Sequence, residues 1–507
     1  MAGEPVAAKG GTHRKFSHPA SRPEFAFPPA QDEALGMASF DFDAVVIGGG
    51  SAGYAAARTL VDGGAKTAVI DGASQLGGLC ILRGCMPTKA LLHAAELRHH
   101  ILQASIWGIR AQSVTVSQTE VLARKDALIE EFAGYRRGQL EDGRFELIRS
   151  QARFLNAHTL ELVPGRTVSA AHMVIATGSQ ISRPPIPGLM GTGILTSDDA
   201  LQLREIPASM AVLGGGAVAL EFAQYFSRFG CRVTLIQRSP HVLREADPDV
   251  ARELETALRL EGIAIHTGTQ LLDVEPLGTG GGGPFQITFD QGDTHHALKV
   301  DAVFNGLGRE PNTEGLHLHN AGIALDGTRI VTNRHQATTV PHLYAAGDCC
   351  GPHEIVHLAI QQGEVAARNI LKAGSPREMD YRLLTTVVFT DPAVAQVGMT
   401  ESEAHTQGIP YRVATHPFND HGKSMILGCK AGFVKLIANS RTGELLGGAC
   451  VGPQGGELIH EITVALAARM TAAQFAAIPH YHPTLAEIWT YPAEALAEAV
   501  RDQGDAQ

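Results

Sequence analysis

The chain of 507 residues is short of aromatic side chains, at 6%, with only two tryptophans. It has seven cysteines, an odd number scattered over a long chain. That pattern excludes the disulfide framework of a small secreted domain. No uncharged apolar run reaches the roughly 18 residues of a membrane-spanning helix. The N-terminal stretch lacks the apolar centre of a secretory signal. Positive charge is in deficit, with a formal net charge of −11, so neither nucleic acid nor an anionic membrane is expected as a main partner. A cytoplasmic protein is the expectation. Bulk disorder is excluded as well, because 44% of residues are apolar and only 18% charged.

Glycine, by contrast, is plentiful. Many of the 56 glycines sit in short clusters between apolar runs, which predicts tight strand-to-helix turns. Asp43-Ala-Val-Val-Ile47 reads as a buried parallel strand, and Gly48-Gly-Gly-Ser-Ala-Gly53 turns it into a helix. Gly48, Gly50 and Gly53 fit G-x-G-x-x-G: a tight turn, a close approach for a pyrophosphate, and close helix packing. The helix N-terminus then offers free N–H groups to an anion. Asp71 ends the next strand, where a ribose hydroxyl needs an acceptor.

The pattern returns in Met210-Ala-Val-Leu213 and Gly214-Gly-Gly-Ala-Val-Ala219, with Gly214, Gly216 and Ala219 at the motif positions. Two such units imply two dinucleotides, or one cofactor and one cosubstrate. In the second unit the place of Asp71 is taken by Gln237, with Arg238 and Arg244 close behind. A carboxylate there would repel a 2′-phosphate, whereas arginines clamp one. NADP(H) is therefore favoured over NAD(H).

Between the units lies Cys80-Ile-Leu-Arg-Gly-Cys85, just past the first ribose acid and leading through Met86-Pro-Thr-Lys89 into a helix. A thiol at a helix N-terminus has its thiolate stabilised, and an inward-pointing Arg83 would lower a thiol pKa further. Two inert cysteines or a zinc site are the competing readings. Zinc needs four ligands, and the adjacent Cys349 and Cys350 are poorly spaced for a tetrahedron, so no metal is expected. Lys89 is placed to reach a flavin, and Glu221, opening the helix of the second unit, is its candidate ion-pair partner. His482-Pro-Thr-Leu-Ala-Glu487 supplies a proton acceptor near neutral pH and a carboxylate to orient it. His480 competes for that role among 23 histidines. A helical region is predicted from about Thr88 to Gly143, broken near Trp107-Gly108. From about Leu383 the pattern turns to strands followed by helices.

With Gly77-Gly-Leu-Cys-Ile-Leu-Arg-Gly-Cys-Met-Pro-Thr-Lys89, Ala176-Thr-Gly-Ser179, Gly306-Leu-Gly-Arg-Glu-Pro-Asn312, Ala345-Ala-Gly-Asp348 and His482 to Glu487, the chain resembles the class I pyridine nucleotide–disulfide oxidoreductases over about residues 40 to 500. This family includes dihydrolipoamide dehydrogenase, glutathione reductase and mercuric reductase. The resemblance implies an α/β fold of two Rossmann-like dinucleotide-binding domains and an α+β dimerisation domain. Residues 1–39, with Pro5, Pro19, Pro23, Pro28 and Pro29 and little periodicity, read as a disordered or docking tail without a family counterpart; the resemblance divides the rest into an FAD-binding domain over 40–184 continued at 309–382, an NAD(P)-binding domain over 185–308, and a dimerisation domain over 383–507.

It further implies that Gly48 to Gly53, Asp71, Thr177, Gly178, Gly347 and Asp348 hold FAD, with Lys89 beside the flavin. Gly214, Gly216, Ala219, Glu221, Arg238, Arg244 and Gly308 would hold NAD(P). Cys85 matches the thiol next to the flavin, Cys80 the interchange thiol, and His482 with Glu487 the acid–base dyad that reaches the partner subunit's site. A homodimer with shared sites follows, acting on a disulfide or dithiol substrate that includes a lipoyl-carrying protein among its candidates. Pro87-Thr-Lys-Ala-Leu-Leu-His93 looks most like dihydrolipoamide dehydrogenase. The alternatives are an NADPH-dependent reductase of a small disulfide or a metal ion and, from another class, a non-catalytic flavoprotein subunit of a complex. Arg83 and Met86 depart from the small apolar residue and the Ile or Val usual in the family.

Overall fold

The computed structural model describes residue 27 and residues 39–278, 283–371 and 376–504. The tail expected over 1–39 thus lies outside the described residues, apart from Phe27 and Ser39, and so does most of the glycine run after Gly278. No described helix is long and apolar enough to cross a membrane.

Three main sheets organise the chain. The first has seven strands around Phe42–Ile47, which pairs in parallel with Thr67–Ile70 on one side and Arg166–Ile175 on the other. Strand Leu343–Ala345 returns late in the sequence to pair in parallel with Arg166–Ile175, so two distant stretches complete one nucleotide-binding sheet. Phe42–Ile47 reads as a near-continuous apolar run because both faces of a parallel sheet are covered. Helix Ser51–Asp62 packs on one face with helix Val356–Leu371 across it. Gly363 permits that approach: a Cβ there would lie 2.2 Å from the Ala52 carbonyl oxygen.

The second sheet has five parallel strands, in the order Ala264–His266, Arg232–Ile236, Ser209–Leu213, Ala302–Asn305, Ile194–Leu195. It is the second glycine-turn unit. A three-stranded antiparallel sheet, Thr269–Pro276, Phe285–Gln291 and Thr294–Val300, is inserted within it. The third sheet is antiparallel and runs Thr385–Val388, Ala393–Gly398, Leu445–Gly452, Phe433–Asn439, Tyr411–Pro417. Helices Gly455–Ala467 and Thr490–Gly504 cover it, with Trp489 sealed in their core. The expected switch to strands then helices near Leu383 is observed. Helices Cys85–Gln103 and Gln118–Leu140 match the two segments predicted over Thr88 to Gly143, and a short 3-10 helix, Ala104–Trp107, fills part of the break.

Buried ions join the third sheet to the second unit. Lys435, 1% exposed, sends its ammonium 3.0 Å from Asp247, 2.8 Å from Asp249 and 2.7 Å from Glu401. One cation facing three anions holds only while the cation is present, because carboxylates left together repel. Lys435→Met is expected to lower unfolding free energy in urea by roughly 3–5 kcal/mol. An unchanged midpoint would show that the cluster is solvated and idle.

Candidate functional site

The first glycine turn is built around its acid. Asp71 accepts from the Gly49 N–H at 2.9 Å and the Ala73 N–H at 2.8 Å, and it is nearly buried. Gly48 has φ of +105°, and a Cβ there would lie 2.4 Å from the Ala176 carbonyl oxygen. A Cβ on Gly53 would sit 1.8 Å from the Gly48 oxygen, so turn and helix touch as the motif requires.

One contact brings the dithiol to this turn. Gly78, at φ +77°, packs so closely on Gly50 that a Cβ would lie 2.7 Å from the Gly50 Cα. Helix Gly78–Arg83 starts there and carries Cys80; helix Cys85–Gln103 starts with Cys85 itself. The two thiols share a hydrogen bond, with Cys80 as donor. That bond, aided by the Lys89 ammonium one turn along and opposed by burial, pulls the Cys85 thiol down to about 7. The same bond, together with burial, pushes the Cys80 thiol well above its ordinary value. Arg83 does not supply the charge. Its guanidinium turns away to Asp198 at 3.0 Å and is 61% exposed, so the reading of Arg83 as a thiol activator is corrected in favour of Lys89. The Arg83–Asp198 pair instead lines a cavity of about 380 Å³ bounded also by Leu76, Leu82, Pro87 and Lys125.

Lys89 meets Glu221 at 2.8 Å, as the sequence suggested. Glu221 is 2% exposed, and its other oxygen accepts from the Phe389 N–H at 3.0 Å. The Phe389 ring also lies 4.5 Å under the Lys89 ammonium. Phe389 had no signal in the sequence; only folding brings it there.

The remaining FAD candidates gather as well. Asp348 accepts from the Ser179 hydroxyl at 2.6 Å, and Arg309 reaches the same hydroxyl at 2.8 Å. Asn312 ties to the Gly178 and Thr177 carbonyls. Gly347 donates to the buried Gln362 amide oxygen at 2.8 Å. Thr177 Oγ1 is buried without a partner, and Gly178 beside it, at φ +70°, has open space where a Cβ would stand. An unpartnered hydroxyl, an open glycine cradle and a fixed acid fit a dinucleotide carrying hydroxyls and phosphates. In the second unit Gln237 packs against Gly215, Gly214 has φ of +107°, Gly216 leaves space, and Arg238 and Arg244 are exposed. Ala219 packs under Gly306, and Gly308 leaves open space at φ +106°.

His482 Nδ1 lies 3.0 Å from Glu487 Oε2 and 3.2 Å from Oε1. The imidazole is 78% exposed in the single chain while Glu487 is nearly buried, so a fixed carboxylate presents a ring outward. His480 is engaged elsewhere, 2.6 Å from Glu461. Among the described residues no hydrogen bond or ion pair links His482 or Glu487 to Cys80 or Cys85 within one chain. A histidine that the sequence did not single out, His421, has its Nε2 3.3 Å from Glu487 Oε1, the same oxygen that lies 3.2 Å from His482 Nδ1.

Two glycine-turn units, a dithiol at a helix start and a separate strand-and-helix domain define a nucleotide-dependent dithiol–disulfide oxidoreductase. Residues 42–363 match the family model described as pyridine nucleotide-disulphide oxidoreductase, and residues 384–493 match the dimerisation domain of that family. The chain belongs to the pyridine nucleotide-disulphide oxidoreductases. It is 37% identical to the dihydrolipoyl dehydrogenase of Thermus scotoductus over 460 residues, covering 90% of this chain and 97% of that protein. It is 34% identical to the Chlamydia muridarum dihydrolipoyl dehydrogenase, covering 88% and 95%. Among solved structures, the HOCl-induced flavoprotein disulfide reductase RclA from Escherichia coli superposes with a TM-score of 0.78 at 28% identity, over 89% of this chain and 99% of that one. The chain is accordingly a dihydrolipoyl dehydrogenase-like, FAD-dependent disulfide oxidoreductase, and its dimerisation domain supports a homodimer.

Lys89→Met removes the nearest cation from Cys85. The pH dependence of iodoacetamide alkylation at Cys85 in the reduced protein is expected to move to higher pH. An unmoved profile would mean that Lys89 does not act on the thiol.

Proposed function

We propose that the chain moves electrons between NADP(H) and a substrate disulfide or dithiol, with a lipoyl group as the preferred substrate and Cys80–Cys85 as the exchanging pair. The observation that carries this reading is the contact of Gly78 on Gly50, which seats the Cys80–Cys85 pair, with Cys85 opening its helix, against the first glycine turn. FAD, when bound, supplies two-electron transfer between the nicotinamide and the sulfur pair. In the reduced pair the charge rests on Cys85, where the helix start and Lys89 favour it. Cys80 keeps its proton and must give it up before attack. His482 takes that proton, and Glu487 fixes its tautomer and orientation.

The Cys80 thiolate then displaces one sulfur of the substrate disulfide, forming a mixed disulfide, and His482 protonates the leaving thiolate. Cys85 attacks the Cys80 sulfur, restoring the Cys80–Cys85 disulfide and releasing the second thiolate. Oxidation of a dihydrolipoyl group runs the same steps backwards, and the redox poise sets the direction.

Under this reading Gly48, Gly50, Gly53, Asp71, Thr177, Gly178, Gly347 and Asp348 hold FAD. The domain limits proposed are 40–184 with 309–382, 185–308 and 383–507. The outward ring of His482, far more exposed than its carboxylate, fits a dyad completed across a homodimer, each protomer serving its partner's dithiol. A cytoplasmic setting fits the odd cysteine count and a dithiol that cycles.

The coenzyme preference rests on Gln237, Arg238 and Arg244. Arg244 has only a long, exposed contact to Glu245 at 3.4 Å and is free to turn to a phosphate. The Arg238→Ala, Arg244→Ala double variant is expected to raise the KM for NADPH by about tenfold or more while leaving that for NADH unchanged. Equal effects on both coenzymes would overturn the preference.

A turnover screen tests the substrate, using dihydrolipoamide, lipoamide and glutathione disulfide with NADH and NADPH in parallel. Lipoamide with NADPH is expected to be fastest, and glutathione disulfide in that place would reassign the substrate. His482→Ala is expected to cut turnover by at least roughly 100-fold. Retained turnover would remove His482 from the mechanism.

A further inference from the structure

Glu487 serves two histidines. The second, His421, lies between the end of strand Tyr411–Pro417 and the short helix Gly422–Ile426, and its side chain is fully buried. Its Nδ1 is 2.7 Å from the Ser424 hydroxyl. Its Nε2 is buried, has no aligned hydrogen-bond partner, and lies 3.3 Å from Glu487 Oε1. A carboxylate can only accept, so for a neutral His421 to bind Glu487 its proton has to sit on Nε2, with Nδ1 accepting from the Ser424 hydroxyl.

The surrounding titratable groups are Glu487, His482, His416 and Tyr491. The His416 ring stacks on Tyr491 at 4.1 Å, and its Nε2 is already committed to the Asp420 carbonyl. Tyr491 meets the His421 ring edge-on at 6.3 Å, not through a polar contact. Asp420 and Lys423 flank His421 in the chain. Among the described residues only Glu487 faces its Nε2. Burial holds His421 below the usual histidine range, so it meets Glu487 as a neutral donor near neutral pH.

We propose that His421 is a positioning residue for the disulfide-exchange step: its Nε2 holds Oε1 of the Glu487 carboxylate that orients His482, and so sets how strongly His482 keeps its proton. The inference rests on the reading of His482 and Glu487 as the acid–base pair. Without that donor, Glu487 concentrates its charge on His482 alone. The proton then stays longer on His482, and the carboxylate loses one of its two anchors.

The experiment separates the two halves of turnover by stopped flow in the FAD-loaded dimer, using NADPH and whichever of lipoamide and glutathione disulfide is faster. His421→Phe, which keeps a flat ring but has no donor, is expected to slow exchange by on the order of tenfold. Flavin reduction by NADPH is expected to stay within twofold. The acid limb of the exchange profile should move to higher pH by about half a unit or more. His421→Asn, which restores an N–H donor, is expected to return the rate to within threefold of wild type and the limb to its place.

Ser424→Ala leaves the ring but removes the hydroxyl that fixes it, and should shift the limb the same way by less. It carries the test should His421→Phe not fold. An unshifted limb in His421→Phe and Ser424→Ala, or equal losses in His421→Phe and His421→Asn, would overturn the proposal and leave His421 as packing. Exchange unaffected by His482→Ala would instead overturn the underlying reading of the dyad.

Discussion

The Lys89 ammonium and the Glu221 carboxylate lie 2.8 Å apart, with a backbone N–H and the ring of Phe389 closing the group. Lys89 belongs to the dithiol helix, Glu221 to the helix of the second glycine turn, and Phe389 to the loop after the first strand of the C-terminal sheet. Three parts of the chain thus meet on one ion pair. A carboxylate as buried as Glu221 is strongly disfavoured alone, so each part is held to the others by the cost of leaving it unpaired. The same ammonium adds to the Cys80 contact in lowering the Cys85 thiol, so the contact that fixes the geometry also tunes the chemistry.

The two thiols divide the work because their surroundings differ. Cys85 opens a helix beside a cation, and Cys80 sits on a short preceding helix and gives its hydrogen to Cys85. The negative charge of the reduced pair is therefore favoured on Cys85 and the proton on Cys80. The protonated thiol needs a base, and none of the described residues of the same chain supplies it through a hydrogen bond. The exposed His482, anchored by a nearly buried Glu487 in the dimerisation domain, is the base we propose meets that need from the partner subunit.

Much of this was legible in the sequence, for a physical reason. The glycine turns, their strands and the dithiol depend on neighbours within a few residues, so Gly48 to Gly53, Asp71 and Cys80 to Lys89 appear in order along the chain. Asp71 capping Gly49 and the close Gly53–Gly48 contact follow directly from the motif. What escaped depends on tertiary distance. Phe389 reaches Lys89 from the far end of the chain, and Arg83, expected to favour a thiolate, finds Asp198 instead. His421 was one histidine of 23, with no spacing to Glu487 that a local pattern could reveal. The pairing of Leu343–Ala345 with Arg166–Ile175 is equally non-local, and it places Gly347 and Asp348 beside the Thr177 and Gly178 loop.

The account stands most directly on the identity of the thiols that take up the electrons. The FAD-loaded protein, reduced anaerobically with one equivalent of NADPH and quenched with a mass-tagged alkylating agent, should gain two reactive thiols. They should map by peptide mass to Cys80 and Cys85. No gain in thiols, or a gain that maps instead to the buried Cys349 and Cys350, would contradict it.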